Sequence, residues 1–172
     1  LYSGKVMYDV GSADLTSSYP YVMCAEYFPM TQCEYIGSIE TDSLFNYLLG
    51  KYCCLFDAQF TNLRPLLECE TPISQSRSFI KGKSVINNGR VVSADELTTT
   101  VTELDYDTIS KFYTWDSVKI MNMRTYHKGY LPKPLILSIL TMYQDKTTLK
   151  GVECKETEYL VSKNMIYSAF CM

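Results

Sequence analysis

The sequence has only one histidine, and its seven cysteines include no C-x-x-C pair. A structural zinc site needs four thiolate or imidazole ligands at short spacings, so these residues do not predict one. The cysteines are instead predicted to be buried free thiols of a protein in a reducing cytoplasm. They are Cys24, Cys33, Cys53, Cys54, Cys69, Cys154 and Cys171.

Long apolar runs and an excess of basic charge are missing too. No stretch reaches the length of a membrane span, and no basic-then-apolar leader is present. The 16 lysines and arginines are outnumbered by 19 aspartates and glutamates, which gives a net charge of −3. A protein that binds DNA unaided normally carries a basic face. The composition therefore weighs against a free-standing DNA-binding protein.

Tyrosine, in contrast, is abundant, with 15 copies in a chain of 172 residues. That length is enough for one domain or slightly more, with a real hydrophobic core. The tyrosines favour either an aromatic-rich sheet or a surface that faces nucleic acid, and their number does not decide between the two.

The residue patterns predict a mixed α+β fold. Strands are expected within residues 54–60, 97–104 and 118–126, and 71–88 is expected to form a loop or hairpin with its turn at Asn87-Asn88-Gly89. Helices are expected at 24–30 (short helix or turn), at 43–49 with Gly50 as its stop, after an N-cap at Asp105, at 135–143 with Pro134 in the first position, and from Glu156 onward. Residues 145–151 are expected to form a polar connector.

The run Asp14-Leu-Thr-Ser-Ser-Tyr-Pro20 follows a strand-like stretch at residues 6–13. A carboxylate at the end of a strand can hold a hard divalent cation, and a tight turn after it brings backbone groups and an aromatic edge up to a nucleotide. A surface loop with one solvated aspartate explains the same residues about equally well. The run is therefore a candidate site for metal-assisted phosphoryl transfer.

The last predicted helix places Lys163, Tyr167 and Phe170 on one narrow stripe. Val161, Met165, Ser168 and Met172 fall on the opposite side, where they are expected to pack on the body of the protein. A cation followed by aromatic rings is suited to gripping a triphosphate and covering a base. An ordinary amphipathic helix with one solvated lysine is the alternative.

Both stretches resemble sequence motifs of the family-B DNA polymerases. Asp14, Ser17, Tyr19 and Pro20 fill the fixed positions of motif A, D-x-x-S-L-Y-P, in which Ser18 replaces the leucine. Lys163 and Ser168 match motif B, K-x-x-x-N-S-x-Y-G. Tyr167, Phe170 and Cys171 stand where motif B has asparagine, tyrosine and glycine.

The long interval between the two motifs resembles the protein-primed branch of the family, found in phages and linear plasmids. The resemblance implies a partial polymerase palm, an antiparallel sheet with packed helices, at residues 1–70. A region that docks a terminal protein and DNA would be inserted at 71–134, and a helix, a connector and a fingers helix would follow at 135–172.

The resemblance also implies roles for single residues. Asp14 would be catalytic and would bind two Mg²⁺ ions together with the Leu15 carbonyl, since phosphoryl transfer needs such charge neutralisation. The residues implied to contact the nucleotide are Ser18, Tyr19, Lys146, Lys163, Tyr167 and Phe170. Separately, Arg124, Lys128 and Lys133 belong to a small basic cluster around one turn, which is a candidate contact for DNA phosphates, and a simple surface turn explains them about equally well.

The partners implied are primer-template DNA, a dNTP, a terminal protein and the remainder of a polymerase chain, in the host cytoplasm if phage-encoded. A second catalytic aspartate is expected beyond residue 172, so we expect the isolated chain to lack polymerase activity. The run Leu104-Asp-Tyr-Asp107 is similar to the motif that supplies that aspartate, but it precedes motif B and is predicted to cap a helix. The alternative function is a degenerate palm or an α+β module that binds a protein partner.

Overall fold

The computed structural model describes residue 11 and residues 18–67 and 70–168. These residues divide into two compact units. Unit 1 is Thr31–Lys128, and unit 2 comprises the flanking segments, up to Met30 and from Gly129 onward. Unit 1 is thus inserted within unit 2 along the chain.

The secondary structure is mixed, which confirms the predicted α+β class. In chain order the elements are α1 (Ser18–Ala25), β1 (Phe28–Pro29), β2 (Glu34–Ile39), α2 (Asp42–Lys51), β3 (Tyr52–Pro65), a 3-10 turn (Gln75–Arg77), β4 (Ser78–Asn87), β5 (Arg90–Thr102), α3 (Glu103–Phe112), β6 (Tyr113–Thr114), β7 (Ser117–Gly129), α4 (Lys133–Leu149) and α5 (Glu156–Ser168). Among the described residues, no helix is long and apolar enough to cross a membrane.

The centre of unit 1 is an antiparallel sheet in the order β2-β7-β3-β5-β4, and β6 pairs with the end of β3. Alternate residues of β3 point to opposite faces of this sheet. The predicted alternation at residues 54–60 is confirmed, because Cys54, Phe56, Ala58 and Phe60 are at most 2% exposed. The residues between them remain half-buried, so one face of the sheet holds the core and the other is open.

Aromatic side chains from α2 and α3 fill the core face. Phe45 of α2 meets Phe56 edge to face at 5.3 Å between ring centroids, and Tyr106 of α3 lies 5.2 Å from Phe45. Trp115 closes the cluster 4.9 Å from Phe60. Burying each of these rings stabilises the fold by about 1.5–3 kcal/mol, so this cluster fixes both helices on the sheet.

The segment after residue 70 contributes to this same sheet. β4 and β5 form the predicted hairpin, and its turn residues Asn88 and Gly89 both have positive φ, at 48° and 71°. Such angles suit a tight two-residue turn and favour asparagine and glycine. Strands before and after residue 71 therefore pair directly, and the compact units do not follow the ranges 1–70, 71–134 and 135–172. The assignment of those ranges to polymerase regions stays a prediction.

Three predicted helix ends are wrong. α2 runs through Gly50 to Lys51, and in place of the helix or turn expected at 24–30, α1 begins at Ser18 and ends at Ala25, and β1 follows at Phe28–Pro29. The N-cap of α3 is Thr102 rather than Asp105, because the Thr102 hydroxyl accepts a hydrogen bond from the Asp105 N–H while the Asp105 carboxylate accepts one from the Thr102 N–H. That reciprocal pair is a capping box.

The predicted polar connector at 145–151 is also wrong, since α4 continues to Leu149. The Thr147 hydroxyl donates to the Tyr143 carbonyl at 2.8 Å, and the Thr148 hydroxyl donates to the Gln144 carbonyl at 2.5 Å. These bonds give the hydroxyl groups partners within the helix, so the polar residues do not force it to end. The helix predicted from Glu156 is confirmed as α5, as far as the described residues extend.

Candidate functional site

Unit 2 brings α1, α4 and α5 together. α4 packs against α5 and also contacts α1. Ile139 of α4 and Ile166 of α5 are 1% and 2% exposed, so each long helix buries one isoleucine. This packing positions the side chains near these isoleucines on the two helices, among them Lys146, Lys163 and Tyr167.

The structure brings together three of the residues predicted to contact a nucleotide. The Lys163 ammonium lies 6.0 Å from the centroid of the Tyr167 ring, one turn further along α5. The Lys146 ammonium, on α4, lies 5.9 Å from the same ring and 5.8 Å from the ring of Tyr143. We call Lys146, Lys163 and Tyr167, with Tyr143, the two-lysine cluster.

The electrostatics of this cluster favour an anion. Each cation–π contact at an exposed site contributes about 0.5–1 kcal/mol, while two ammonium groups near one ring repel each other. No carboxylate of the described residues lies within 4 Å of the Lys163 ammonium. Tyr167 is 43% exposed, so a ligand can reach its ring. Two ammonium groups beside one accessible ring are a suitable arrangement for binding a polyanion.

Helix α5 buries a different side from the one predicted. Val161 and Met165, expected to pack on the body, are 52% and 53% exposed. Ile166 is buried instead, and Ser162 and Lys163 beside it are half-buried. Apolar residues lie on several sides of this helix, so its local pattern does not specify which side is buried.

The start of α1 carries two further predicted contacts. Ser18 is half-buried and Tyr19 is 65% exposed, while Pro20 after them is buried. Proline is tolerated there because the first turn of a helix has no intrahelical acceptor for its N–H groups. The chain is helical from Ser18 to Ala25, and the Tyr19 ring is accessible on unit 2.

Several predicted site residues lie outside the described residues: Asp14 and Leu15 in motif A, and Phe170 in motif B. Whether Asp14 and Lys163 share one cleft is therefore untested. Among the residues that the structure describes, no group of three or more histidine, cysteine, aspartate and glutamate side chains could hold a metal ion. The magnesium site stays a prediction from the sequence motif.

The three predicted DNA contacts are divided between the units. Arg124 lies in unit 1 with its guanidinium 5.8 Å from the Tyr35 ring, and Lys133 is exposed at the start of α4 in unit 2. The Lys128 ammonium donates to the Leu49 carbonyl at 3.1 Å and lies 4.0 Å from the Glu103 carboxylate. Lys128 thus has a structural role in unit 1, and the DNA contacts stay predictions.

The motif-like run at Leu104–Asp107 is accounted for by helix structure. Asp105 completes the capping box of α3, and the Asp107 carboxylate pairs with Lys111 at 2.6 Å one turn later. Both carboxylates therefore have partners in α3 or at its N-cap, although Asp105, the predicted cap, is not itself the cap.

Two features were not predicted from the sequence. Tyr143 joins the two-lysine cluster, and its i, i+3 spacing to Lys146 would have indicated this if the helix had been extended.

On the open face of the sheet in unit 1, Asp57 accepts hydrogen bonds from the Asn122 amide at 2.7 Å and the Thr100 hydroxyl at 2.5 Å. These bonds, that of Asn122 first, lower the pKa of the Asp57 carboxyl. No local pattern marks a contact that joins three strands.

The predicted burial of the thiols is only partly correct. The cysteines within the described residues are free thiols, of which Cys53 and Cys54 are buried and Cys33 and Cys154 are exposed. Burial raises the pKa of the Cys54 thiol to about 12, with the Glu103 carboxylate as the next cause. Cys54 is therefore held as the neutral thiol.

No protein-family model matches the chain, and no curated protein matches it. Among solved structures, the fold is similar to that of phi29 DNA polymerase complexed with primer-template DNA and incoming nucleotide substrates. The TM-score is 0.55 at 11% sequence identity, and the match covers 90% of this chain and 25% of that protein. The chain thus spans about a quarter of the length of that polymerase, and what the two share is the fold.

Proposed function

We propose that the chain is part of a DNA polymerase and that unit 2 contacts the incoming nucleotide. The observation that carries the proposal is the two-lysine cluster, because Lys163 and Tyr167 of the motif B stretch and Lys146 of the predicted connector lie together on α4 and α5. The fold similarity to part of a polymerase supports it independently. Lys163 and Lys146 would neutralise the triphosphate, and Tyr167 would lie beside the base.

The remaining roles follow from the sequence motifs. Tyr19 would stack under the sugar and exclude a 2′ hydroxyl, with Ser18 beside it and Phe170 covering the base. Asp14 and the Leu15 carbonyl would hold Mg²⁺, which would stabilise the charge that develops on the transferred phosphoryl group. Primer-template DNA would be the second ligand, with Arg124 and Lys133 as candidate phosphate contacts.

Two parts of the proposal rest on the branch that the motifs resemble. Unit 1 spans residues 31–128 and so contains most of the predicted insertion at 71–134, and we propose that it meets a priming terminal protein. The free thiols fit a protein that works in a reducing cytoplasm.

Nucleotide binding by the 172-residue chain tests the central claim. A fluorescent dNTP should bind saturably in Mg²⁺, and Lys163→Ala and Lys146→Ala should each weaken binding by about tenfold, since a hydrogen bond to a charged group contributes about 1.5–3 kcal/mol. Lys150→Ala is the matched control, because Lys150 is an exposed lysine just after α4. Equal affinities for all three variants would contradict the proposed site.

The alternative is a protein-interaction module without nucleotide chemistry. It is favoured by the net charge of −3 and by the residues that depart from motif B. Absence of saturable dNTP binding by the unsubstituted chain would support this module over the polymerase.

A further inference from the structure

A polar cavity lies in unit 1 and shares no residue with the two-lysine cluster of unit 2. Its volume is about 420 Å³, within the range of about 300–1,000 Å³ of small-molecule pockets. One wall is the segment that contains the 3-10 turn, another is β5, and a third is α3. The cavity thus lies within one compact unit and is formed by its ordered elements.

Two arginines, Arg77 and Arg90, are among the residues that line this cavity, and each carries a guanidinium group. No carboxylate of the described residues lies within 4 Å of either group. Arg90 donates one N–H to the Pro72 carbonyl at 2.9 Å. Because a guanidinium has five N–H donors, this bond orients the side chain and leaves donors for a ligand.

The backbone around the arginines is fixed. The Gln75 N–H donates to the Gly89 carbonyl at 2.9 Å, and Ser74 forms a β-bridge with Arg90. The Thr99 hydroxyl donates to the Arg77 carbonyl at 3.2 Å, which ties the 3-10 turn to β5. The cavity is therefore preorganised, which reduces the entropy lost on binding.

Hydroxyl groups supply further donors. The Ser74 and Ser76 hydroxyls share one hydrogen bond at 3.0 Å, so one of their two O–H groups remains to donate to a ligand. Both residues line the cavity together with the arginines. Arginine forks with nearby hydroxyl donors match the oxygen atoms of a phosphate group.

One carboxylate, that of Asp105, also lines the cavity. Its Oδ2 atom accepts from the N–H and the hydroxyl of Thr102, at 3.1 Å and 2.8 Å. A carboxylate acceptor in the same cavity as two arginines suits a ligand that has hydroxyl groups as well as an anion. None of the described residues that line the cavity is aromatic, so it offers no ring on which a base would stack.

We propose that this cavity binds a small sugar phosphate, with the phosphate on Arg77 and Arg90 and a sugar hydroxyl donating to Asp105. The cavity is larger than a phosphate ion, and its polar walls match both parts of such a ligand. The 5′ phosphate of a DNA strand presents the same chemistry, so the experiment includes it as a separate arm.

The test is an amide NMR titration of the 172-residue chain at constant ionic strength with ribose 5-phosphate, inorganic phosphate, ribose and a 5′-phosphorylated oligonucleotide. Saturable shifts at Arg77, Arg90 and Thr99 with ribose 5-phosphate, at lower concentrations than with inorganic phosphate, are expected. Ribose should produce none. Binding of the oligonucleotide without binding of ribose 5-phosphate would overturn the assignment to a small ligand, as would equal affinity for ribose 5-phosphate and inorganic phosphate.

Substitutions separate a built site from general attraction to positive charge. Arg77→Gln should weaken ribose 5-phosphate binding by about tenfold or more, because it removes a charged donor from the cavity. Arg77 is exposed, so the variant should keep the native amide spectrum. Arg64→Gln is the control, since Arg64 pairs with Asp116 and does not line the cavity. Equal weakening by both substitutions, or none by Arg77→Gln, would overturn the proposal.

Discussion

Glu103 should be a structural anchor of unit 1. Its Oε2 atom accepts a hydrogen bond from the Cys54 N–H at 2.7 Å, and its Oε1 atom lies 4.0 Å from the Lys128 ammonium. The two side chains are 13% and 24% exposed, so water screens this pair far less than a surface pair. Glu103 also lies in the first turn of α3, where the helix dipole favours a negative charge.

Glu103→Ala removes the acceptor of a buried N–H and the counter-charge of a half-buried lysine. We expect it to lower the free energy of unfolding by about 2–3 kcal/mol, because a buried polar group that loses its partner costs about 1–3 kcal/mol. Glu103→Gln keeps an oxygen acceptor and loses only the charge, so a loss of about 1 kcal/mol is expected.

Urea unfolding followed by the fluorescence of Trp115 measures these losses. Trp115 is the single tryptophan and packs on Phe60, so its signal reports on unit 1. Asp107→Asn is the matched control on α3, because Asp107 and Lys111 form an i, i+4 pair with side chains 63% and 66% exposed. Exposed pairs of this kind contribute about 0.3–0.5 kcal/mol. If Glu103→Ala destabilises unit 1 no more than this control does, the anchoring role is refuted.

Three further outcomes follow from particular contacts. Cys54 should resist alkylation at pH 8 while the exposed Cys33 and Cys154 react, because the pKa of the Cys54 thiol is about 12. Mass spectrometry of the labelled peptides measures this. Labelling of Cys54 at the rate of Cys33 would contradict the prediction. The pKa of the Asp57 carboxyl is lowered in the fold, so the stability that this group contributes is present above its pKa in the unfolded chain and is lost as the pH falls through the lower folded value. Urea midpoints measured between pH 7 and pH 3 should therefore fall less for Asp57→Asn than for the unsubstituted chain. Parallel falls would contradict this. Gly82→Ala should lower the free energy of unfolding by about 1–3 kcal/mol, because φ is +83° there and an added Cβ would lie 2.7 Å from the Asp95 carboxylate. Gly50→Ala on α2 is the control and should not destabilise the protein, because nothing lies within 4 Å of an added Cβ there. Equal thermal midpoints for the two variants would count against the close approach at Gly82.

Local sequence patterns correctly predicted those features of the fold that depend only on residues close together in the chain. The alternation of Cys54, Phe56, Ala58 and Phe60 gave the buried face of β3, and Asn88-Gly89 gave the hairpin turn. In both cases the determining physics acts within a few residues, through the period of a strand or through the φ angles that asparagine and glycine tolerate.

Local patterns led to wrong predictions where two nearby residues, or two sides of one helix, are equally suited to the same structural role. Thr102 and Asp105 are both good N-cap residues, and only the reciprocal bonds between them decide that the helix begins after Thr102. In α5, Val161, Met165 and Ile166 are all apolar, and packing on α4 decides that Ile166 is buried. Such choices depend on contacts between distant parts of the chain, which a periodicity does not contain.

The two-lysine cluster shows both effects at one site. Lys163 and Tyr167 were predicted as a pair because an i, i+4 spacing places them on one helix face. Lys146 joins them only because α4 extends to Leu149, through residues whose composition predicts a connector. Tyr167 occupies a position where motif B has asparagine, and an asparagine has no ring for the lysines to approach. In this chain the two ammonium groups lie 5.9 Å and 6.0 Å from the centroid of the Tyr167 ring. In the proposed site the phosphates of a nucleotide would meet these two cations, so the residue that differs from the motif would itself be part of the anion site.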